Sequence, residues 1–184
     1  QIQTLNQRYD THFRLSINIS LRQFAEAEFV GSLLAKIRTA GMRTDAICLE
    51  ITESLVVEDV GHFRAMLLEL HEAGIRIALD DFGTGYSSLS ILRDLPIDEL
   101  KIDKSFVNNI QSDETSLKMV KNIINIGRIY EMDVLAEGVE TEEQMRILKE
   151  CGCDLFQGYL FARPMTIDAL EVFIQGELSG LKSD

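Results

Sequence analysis

Six alternations of a strand-like segment with a helix-like segment run along the 184 residues, and this pattern constrains the fold more than any other feature. The strand-like segments are short, apolar and rich in β-branched residues, at 13–19, 46–52, 75–79, 99–103, 134–137 and 155–157. Helical patterns follow them at 28–40, 58–73, 88–92, 113–130, 141–151 and 167–176. The alternation predicts an α/β protein with a parallel sheet and right-handed crossovers.

A polar residue stands at or near the end of every predicted strand. These residues are Asn18, Glu50, Asp80, Lys101, Glu137 and Gln157. A barrel gathers the ends of many strands at one face, whereas an open parallel sheet binds ligands at a single switch point. We therefore predict a TIM-like (β/α) barrel. Complete barrels of this type have eight strands and about 250 residues, so we expect 1–184 to be one incomplete domain whose first two strands, roughly 65 residues, lie upstream.

Two adjacent carboxylates follow the predicted strand 75–79 directly. Asp80 and Asp81 stand between this apolar segment and a turn that contains Gly83 and Gly85. Two like charges about 4 Å apart repel by about 4 kcal/mol at an effective dielectric constant near 20, so the pair calls for a cation. The sequence predicts a flexible acidic turn that binds a metal ion.

The chemistry expected at the strand ends follows from their residue types. Oxygen ligands without histidine or cysteine suit Mg²⁺, Mn²⁺ or Ca²⁺ better than zinc. The three histidines lie outside the strand ends, which disfavours a histidine-based mechanism. Two metal ions that share Asp80 could activate water and clamp the oxygens of a phosphoryl displacement, with Lys101 neutralising developing charge. These residues point to a metal-dependent phosphodiesterase.

Each of these residues also has a simpler interpretation. Glu50 or Glu137 could cap a following helix, and Lys101 could pair with a carboxylate. Lys101 could also form a Schiff base, as in aldolase-like barrels, although the acidic ring argues against this role. The coincidence across six strand ends favours a functional site.

The composition narrows the range of partners and compartments. The formal charge of −12, from 18 basic and 30 acidic residues, argues against nonspecific binding of DNA, RNA or anionic lipid. No apolar run is long enough to span a membrane, and the first residues lack a signal-peptide pattern. Three cysteines without a Cys-x-x-Cys pair suit a reducing compartment. We expect a cytoplasmic protein without direct membrane insertion.

Six ordered motifs together resemble the EAL-domain family over nearly the whole chain. They are SINIS at 16–20, EITES at 50–54, DDFGTGYSSL at 80–89, KIDKSFV at 101–107, AEGVET at 136–141 and QGYLF at 157–161. The resemblance implies a TIM-like barrel that hydrolyses cyclic di-GMP to linear pGpG with Mg²⁺ or Mn²⁺ in bacterial signalling. It also implies a homodimer and additional regulatory domains in the parent protein.

The same resemblance assigns roles to individual positions. The residues that match metal ligands are Asn18, Glu50, Asp80 and Asp81. Lys101 matches the catalytic lysine, and Glu137 matches the residue assigned to metal and water activation. Gln157 and Asp103 match positions that bind substrate or support loops. Glu53 is similar to the glutamate that steadies the loop after Asp81, and that loop with its following helix often joins the family's dimer interface.

One family feature lies outside this sequence. The Glu-Ala-Leu segment, which carries a further metal-ligating glutamate and a nearby substrate-contacting arginine, should precede Gln1, and Leu135-Ala136-Glu137 does not replace it. We therefore expect the parent protein to be a complete enzyme and this chain to be one ligand short. The alternative is a non-catalytic cyclic di-GMP receptor or a protein-interaction module.

Overall fold

Six parallel strands, paired in their order along the chain, form a curled half-barrel. The computed structural model describes residues 1–24, 26, 28–52, 60–84 and 89–180. The strands are β1 (Leu15–Asn18), β2 (Ile47–Thr52), β3 (Arg76–Phe82), β4 (Glu99–Ile102), β5 (Asp133–Glu137) and β6 (Leu155–Gln157). The predicted α/β class and incomplete TIM-like barrel are confirmed.

Helices cover the outside of this sheet and connect the strands. They are α1 (Ile2–Tyr9), α2 (Leu21–Phe24), α3 (Phe29–Thr39), α4 (Val60–Glu72), α5 (Leu89–Asp94), α6 (Lys104–Asn109), α7 (Glu114–Ile129), α8 (Glu142–Cys151) and α9 (Ile167–Gly180). The patterns did not predict the short helices α2 and α6, and α9 extends beyond the predicted end at residue 176. None of the described helices is long and apolar enough to cross a membrane.

The core lies between the sheet and these helices. The central strands are covered on both sides, and Leu49, Ile77 and Leu100 are fully buried. This burial explains why β2 and the first part of β3 are nearly continuous apolar runs, whereas β4 is buried although Glu99 and Lys101 alternate with Leu100 and Ile102. Burying such an apolar side chain contributes about 1.5–3 kcal/mol, so the centre of the sheet is a rigid support for the polar residues at the strand ends.

A β-bulge changes the predicted end of β3. Leu79 pairs with Leu100 and Phe82 pairs with Ile102, so two residues of β3 stand opposite one residue of β4 between these pairs. The prediction of a strand ending at residue 79, followed by a flexible acidic turn, is therefore wrong, because β3 continues through both aspartates to Phe82. Pairing with β4 holds this acidic segment in the sheet, which local sequence patterns do not reveal.

A glycine at the end of β6 permits a close approach between two backbones. A Cβ atom at Gly158 would lie 2.1 Å from the carbonyl oxygen and 2.3 Å from the nitrogen of Val139. The Val139 nitrogen donates a hydrogen bond to the Gln157 carbonyl oxygen at 3.0 Å, and the Val139 carbonyl accepts one from the Leu160 nitrogen at 3.0 Å. These hydrogen bonds prevent Val139 from moving away.

We expect Gly158→Ala to lower the free energy of unfolding by about 3 kcal/mol, because backbone atoms cannot yield to the added methyl group. Urea denaturation measures this change. The matched control is Gly31→Ala in α3, where a Cβ atom meets nothing within 4 Å. It should stabilise the protein by up to about 1 kcal/mol through helix propensity. Equal urea midpoints for wild type and Gly158→Ala would contradict the prediction.

Candidate functional site

A buried lysine occupies the centre of the site. Lys101 lies on β4, and its side chain is 3% exposed. Its Nζ atom lies 2.8 Å from Glu50 Oε2, 3.1 Å from Asp80 Oδ1 and 2.7 Å from Glu137 Oε1. These three carboxylates belong to β2, β3 and β5, so residues far apart in the sequence meet because their strands are neighbours in the sheet. The structure thus brings together four of the predicted site residues.

The balance of charge in this cluster is negative. Burial alone would lower the pKa of Lys101, but hydrogen bonds to Glu137 and Glu50 and the attraction of the carboxylates raise it above its ordinary value. Burial raises the pKa of Glu137, and repulsion by Asp80 and Glu50 adds to this, although the hydrogen bond from Lys101 opposes both. Lys101 is therefore charged, and it neutralises only part of the surrounding acid.

The bulge in β3 brings the side chains of the neighbouring residues Asp80 and Asp81 to the same site. In a regular strand, adjacent side chains point to opposite faces, whereas a bulge redirects one of them. Asp81 adopts the left-handed backbone conformation, with φ of 55°. Carboxylate oxygens of Asp80, Asp81 and Glu137 consequently lie within 4.8 Å of one another. The irregular strand end concentrates negative charge at one point.

Short-range contacts hold Asp81 in this position. Its backbone nitrogen donates a hydrogen bond to Asp80 Oδ1 at 3.0 Å, and its carbonyl oxygen accepts one from Thr84 Oγ1 at 2.8 Å. Sequence reasoning missed this role of Thr84, although a threonine in a glycine-rich turn is a usual sign of side-chain bonding to the backbone. Burial and repulsion by Asp80 and Asp103 raise the pKa of Asp81.

Asp103 links this acidic group to helix α6. It caps the helix by accepting a hydrogen bond from the Ser105 nitrogen at 2.9 Å. Burial alone would raise its pKa, but the hydrogen bonds from Ser105 reverse the effect and lower it. Its side chain also interacts with Asp81. Asp103 therefore remains ionised beside Asp81 and makes a nearby cation more favourable.

The two predicted amides lie beside the central cluster. Asn18 pairs in register with Glu50, and Gln157 pairs in register with Glu137. Both side chains are exposed at the ends of their strands. Glu53, and residues 85–88 of the predicted dimer-interface loop, lie outside the described residues. The structure therefore places eight of the nine predicted site residues, and all eight lie within two residues of the carboxyl ends of strands.

The donor set suits a hard divalent cation. Carboxylate and amide oxygens, without nitrogen or sulfur donors, are the ligands that Mg²⁺, Mn²⁺ and Ca²⁺ prefer. The clustered oxygens of Asp80, Asp81 and Glu137 offer three such atoms. Burial and repulsion between neighbouring carboxylates raise the pKa values of Asp81 and Glu137, and a bound cation would relieve that repulsion. The residues therefore fit a divalent metal ion.

The half-barrel of parallel strands has a cluster of acidic residues near the carboxyl ends of its strands. This arrangement is typical of barrel proteins whose active site lies at that face. The model of the EAL domain family matches residues 1–164. The chain belongs to this family, as the six motifs indicated.

Relatives and solved structures agree with this assignment. The cyclic di-GMP phosphodiesterase NbdA of Pseudomonas aeruginosa is 37% identical over 88% of this chain and 21% of its own length. The structure of the PaMucR phosphodiesterase in complex with c-di-GMP has a TM-score of 0.85 and 37% identity, covering 91% of this chain and 69% of that one. Klebsiella pneumoniae BlrP1, solved with manganese and cyclic di-GMP, has a TM-score of 0.79 and 35% identity, covering 87% and 41%. Among the curated protein sequences that it matches, NbdA included, the chain spans about a fifth to a quarter of the full length.

Proposed function

We propose that this chain is the catalytic part of a cytoplasmic, metal-dependent phosphodiesterase that hydrolyses cyclic di-GMP to linear pGpG in bacterial second-messenger signalling. The single observation that carries the proposal is the buried ammonium of Lys101 among carboxylates from three neighbouring strands. The phosphodiesterase named among the relatives and the complexes of PaMucR and BlrP1 with this dinucleotide support the choice of substrate.

The cofactor in this proposal is a pair of Mg²⁺ or Mn²⁺ ions. Their ligands would be Asn18, Glu50, Asp80 and Asp81, together with the glutamate of the Glu-Ala-Leu segment, and Asp80 would be shared by both ions. Bound divalent cations would supply Lewis acidity and neutralise charge on the phosphodiester. The manganese and calcium complexes of BlrP1 support divalent metals in general.

The chain's own residues would divide the remaining chemistry. Glu137, whose carboxylate has a raised pKa, would accept a proton from the attacking water. The water oxygen bonds to phosphorus, and one P–O bond of the cyclic dinucleotide breaks. The departing ribose oxygen takes up a proton, from Glu137 or from solvent, and a linear product with a terminal phosphate results. Lys101 stays protonated and would stabilise charge on the phosphoryl oxygens. Gln157 and Asp103 would position the substrate and the loop beside Asp81.

An assay with and without metal tests this function. The chain, and a form extended upstream through the Glu-Ala-Leu segment, are incubated with cyclic di-GMP and Mg²⁺, Mn²⁺ or EDTA, and pGpG is quantified by chromatography. We expect pGpG only with metal, and none above background from Lys101→Ala. Calorimetric binding of cyclic di-GMP without cleavage by the extended form would instead support the receptor alternative. Absence of both binding and cleavage would leave an interaction role.

The pH dependence of metal binding follows from the raised pKa values. Asp81 and Glu137 take up protons at a higher pH than ordinary carboxylates, so protons compete with the metal as pH falls. We expect the rise in melting temperature caused by Mn²⁺ to shrink as pH is lowered from neutrality, and to do so above the pH of about 4 at which an ordinary carboxylate is half protonated. The stability of the metal-free protein should change with pH in the opposite direction. A carboxylate whose pKa is raised in the folded state contributes more to stability as pH falls. A Mn²⁺ effect that is the same across this range would contradict the prediction.

The assembly of the parent protein is a further part of this proposal. We propose that its complete barrel has eight strands, that it forms a homodimer through the loop after Asp81 and helix α5, and that it carries additional regulatory domains. The short fraction of each curated relative that this chain spans supports larger parent proteins. Light scattering of the extended form tests the dimer.

A further inference from the structure

The turn that follows the two aspartates begins from a fixed point in the sheet. Phe82, the last residue of β3, is 4% exposed and pairs in register with Ile102 of β4. The residues on either side of Phe82 both have positive φ, 55° at Asp81 and 94° at Gly83. We call residues 82–84 the β3 turn. The direction of the Asp81 carboxylate depends on how this turn is held.

Three apolar side chains of α6 and α7 form a wall behind the β3 turn. A Cβ atom at Gly83 would lie 3.3 Å from Phe106 Cε2, 3.3 Å from Ile123 Cδ1 and 3.4 Å from Met119 Cε. These distances leave almost no space between Gly83 and the wall, and Ile123 is itself 1% exposed. The wall therefore prevents the turn from moving toward the two helices. The turn could open only on the side that faces solvent, where Thr84 is exposed.

Thr84 closes the solvent side of the turn by bonding back to Asp81. Its hydroxyl and its backbone nitrogen both donate hydrogen bonds to the Asp81 carbonyl oxygen, at 2.8 Å and 3.3 Å. An aspartate is less stable in the left-handed conformation than in an extended or right-handed one, and the difference is similar in size to the contribution of one hydrogen bond. Without the hydroxyl, a substantial fraction of molecules would therefore have Asp81 in another conformation.

Electrostatic repulsion also acts against the observed position of Asp81. One of its carboxylate oxygens lies within 4.8 Å of an oxygen of Asp80 and of an oxygen of Glu137. Repulsion by Asp80 and by Asp103 each raises the pKa of Asp81 more than the attraction of Lys101 lowers it. These charges favour outward movement of the Asp81 carboxylate. A contact with the backbone is therefore needed to keep it beside the other carboxylates.

We infer that Thr84 is a positioning residue whose hydroxyl keeps Asp81 in the conformation that a bound metal ion requires. The hydroxyl holds the Asp81 backbone, and the wall behind Gly83 fixes the other side of the turn. Thr84 acts through Asp81 rather than through a contact with the ion. The inference rests on the proposed metal site, and it predicts that loss of the hydroxyl weakens only the ion for which Asp81 is a ligand.

Thr84→Val tests the inference, because valine keeps the branched shape of threonine and lacks the hydroxyl. Calorimetry with Mn²⁺ is carried out on the form extended through the Glu-Ala-Leu segment. The ion that Asp81→Asn loses should bind about three- to tenfold more weakly to Thr84→Val, as expected for one lost hydrogen bond. Thr84→Ser keeps the hydroxyl and should stay within about twofold of the wild type. The matched control, Thr39→Val, removes an exposed hydroxyl that donates to the Ala35 carbonyl oxygen, also at 2.8 Å, and should leave both affinities within about twofold.

A double variant separates this role from a general loss of stability. In the Asp81→Asn background, Thr84→Val should leave the affinity of the remaining ion within about twofold, because the carboxylate that Thr84 positions is absent. Equal weakening of both ions by Thr84→Val, no weakening at all, or the same loss in Thr84→Ser would overturn the inference and leave the proposed function standing. Absence of any Mn²⁺ binding to the wild type would overturn both. Thr84→Ala removes the same hydroxyl and decides the question if Thr84→Val does not fold.

Discussion

Replacing Lys101 by methionine is expected to reduce cyclic di-GMP hydrolysis by at least about 10³-fold and to destabilise the metal-free protein by about 3–5 kcal/mol. The activity falls because the ammonium that would stabilise phosphoryl charge is lost. The stability falls because Glu50, Asp80 and Glu137 would face one another with no cation between them. Methionine keeps most of the side-chain volume, so the loss is electrostatic rather than a cavity effect.

The same variant gives a readout that does not depend on activity. Divalent cations should restore more stability to Lys101→Met than to the wild type, because they replace the missing charge. Thermal denaturation with and without Mn²⁺ measures this difference. The control is Lys118→Met, which breaks an exposed ion pair with Glu114 on α7 and should change stability by less than about 0.5 kcal/mol. Full activity in Lys101→Met, or an unchanged response to Mn²⁺, would refute the role given to this lysine.

The arrangement of strands and helices could be predicted because each element has a local signature. Apolar β-branched runs, helical spacing and glycine punctuation mark the elements. Short crossovers make consecutive strands neighbours, so the strand order follows from the sequence order. Helix α6 was missed because its six residues are too few to show a helical period, and its cap at Asp103 lies within a segment predicted to be a strand.

The chemical character of the site could be predicted, but its geometry could not. Polar residues after apolar strands indicated which side chains would meet. That Lys101 contacts three carboxylates at once depends on the register between β2, β3, β4 and β5, which local patterns do not contain. The bulge at Asp80 and Asp81 depends on the same pairing.

Replacing either aspartate of the β3 bulge is expected to change the number of metal ions that the protein binds. Asp80 would be shared by two ions, whereas Asp81 would serve only one. Asp80→Asn should therefore abolish binding of both Mn²⁺ ions, and Asp81→Asn should leave one ion per chain. Each should lower the rate of hydrolysis by at least about 10²-fold, because the charge at the phosphodiester is no longer fully neutralised.

Asparagine is the informative replacement at Asp81, because it tolerates the left-handed backbone with φ of 55° and preserves the bulge. Native mass spectrometry and calorimetry count the ions in the form extended through the Glu-Ala-Leu segment. Asp154→Asn, an exposed carboxylate in the loop before β6, controls for loss of negative charge and should retain both ions. If Asp80→Asn and Asp81→Asn lose the same number of ions, the distinction between a shared and an unshared ligand is wrong. If Asp81→Asn keeps two, the bulge orients Asp81 for a purpose other than metal binding.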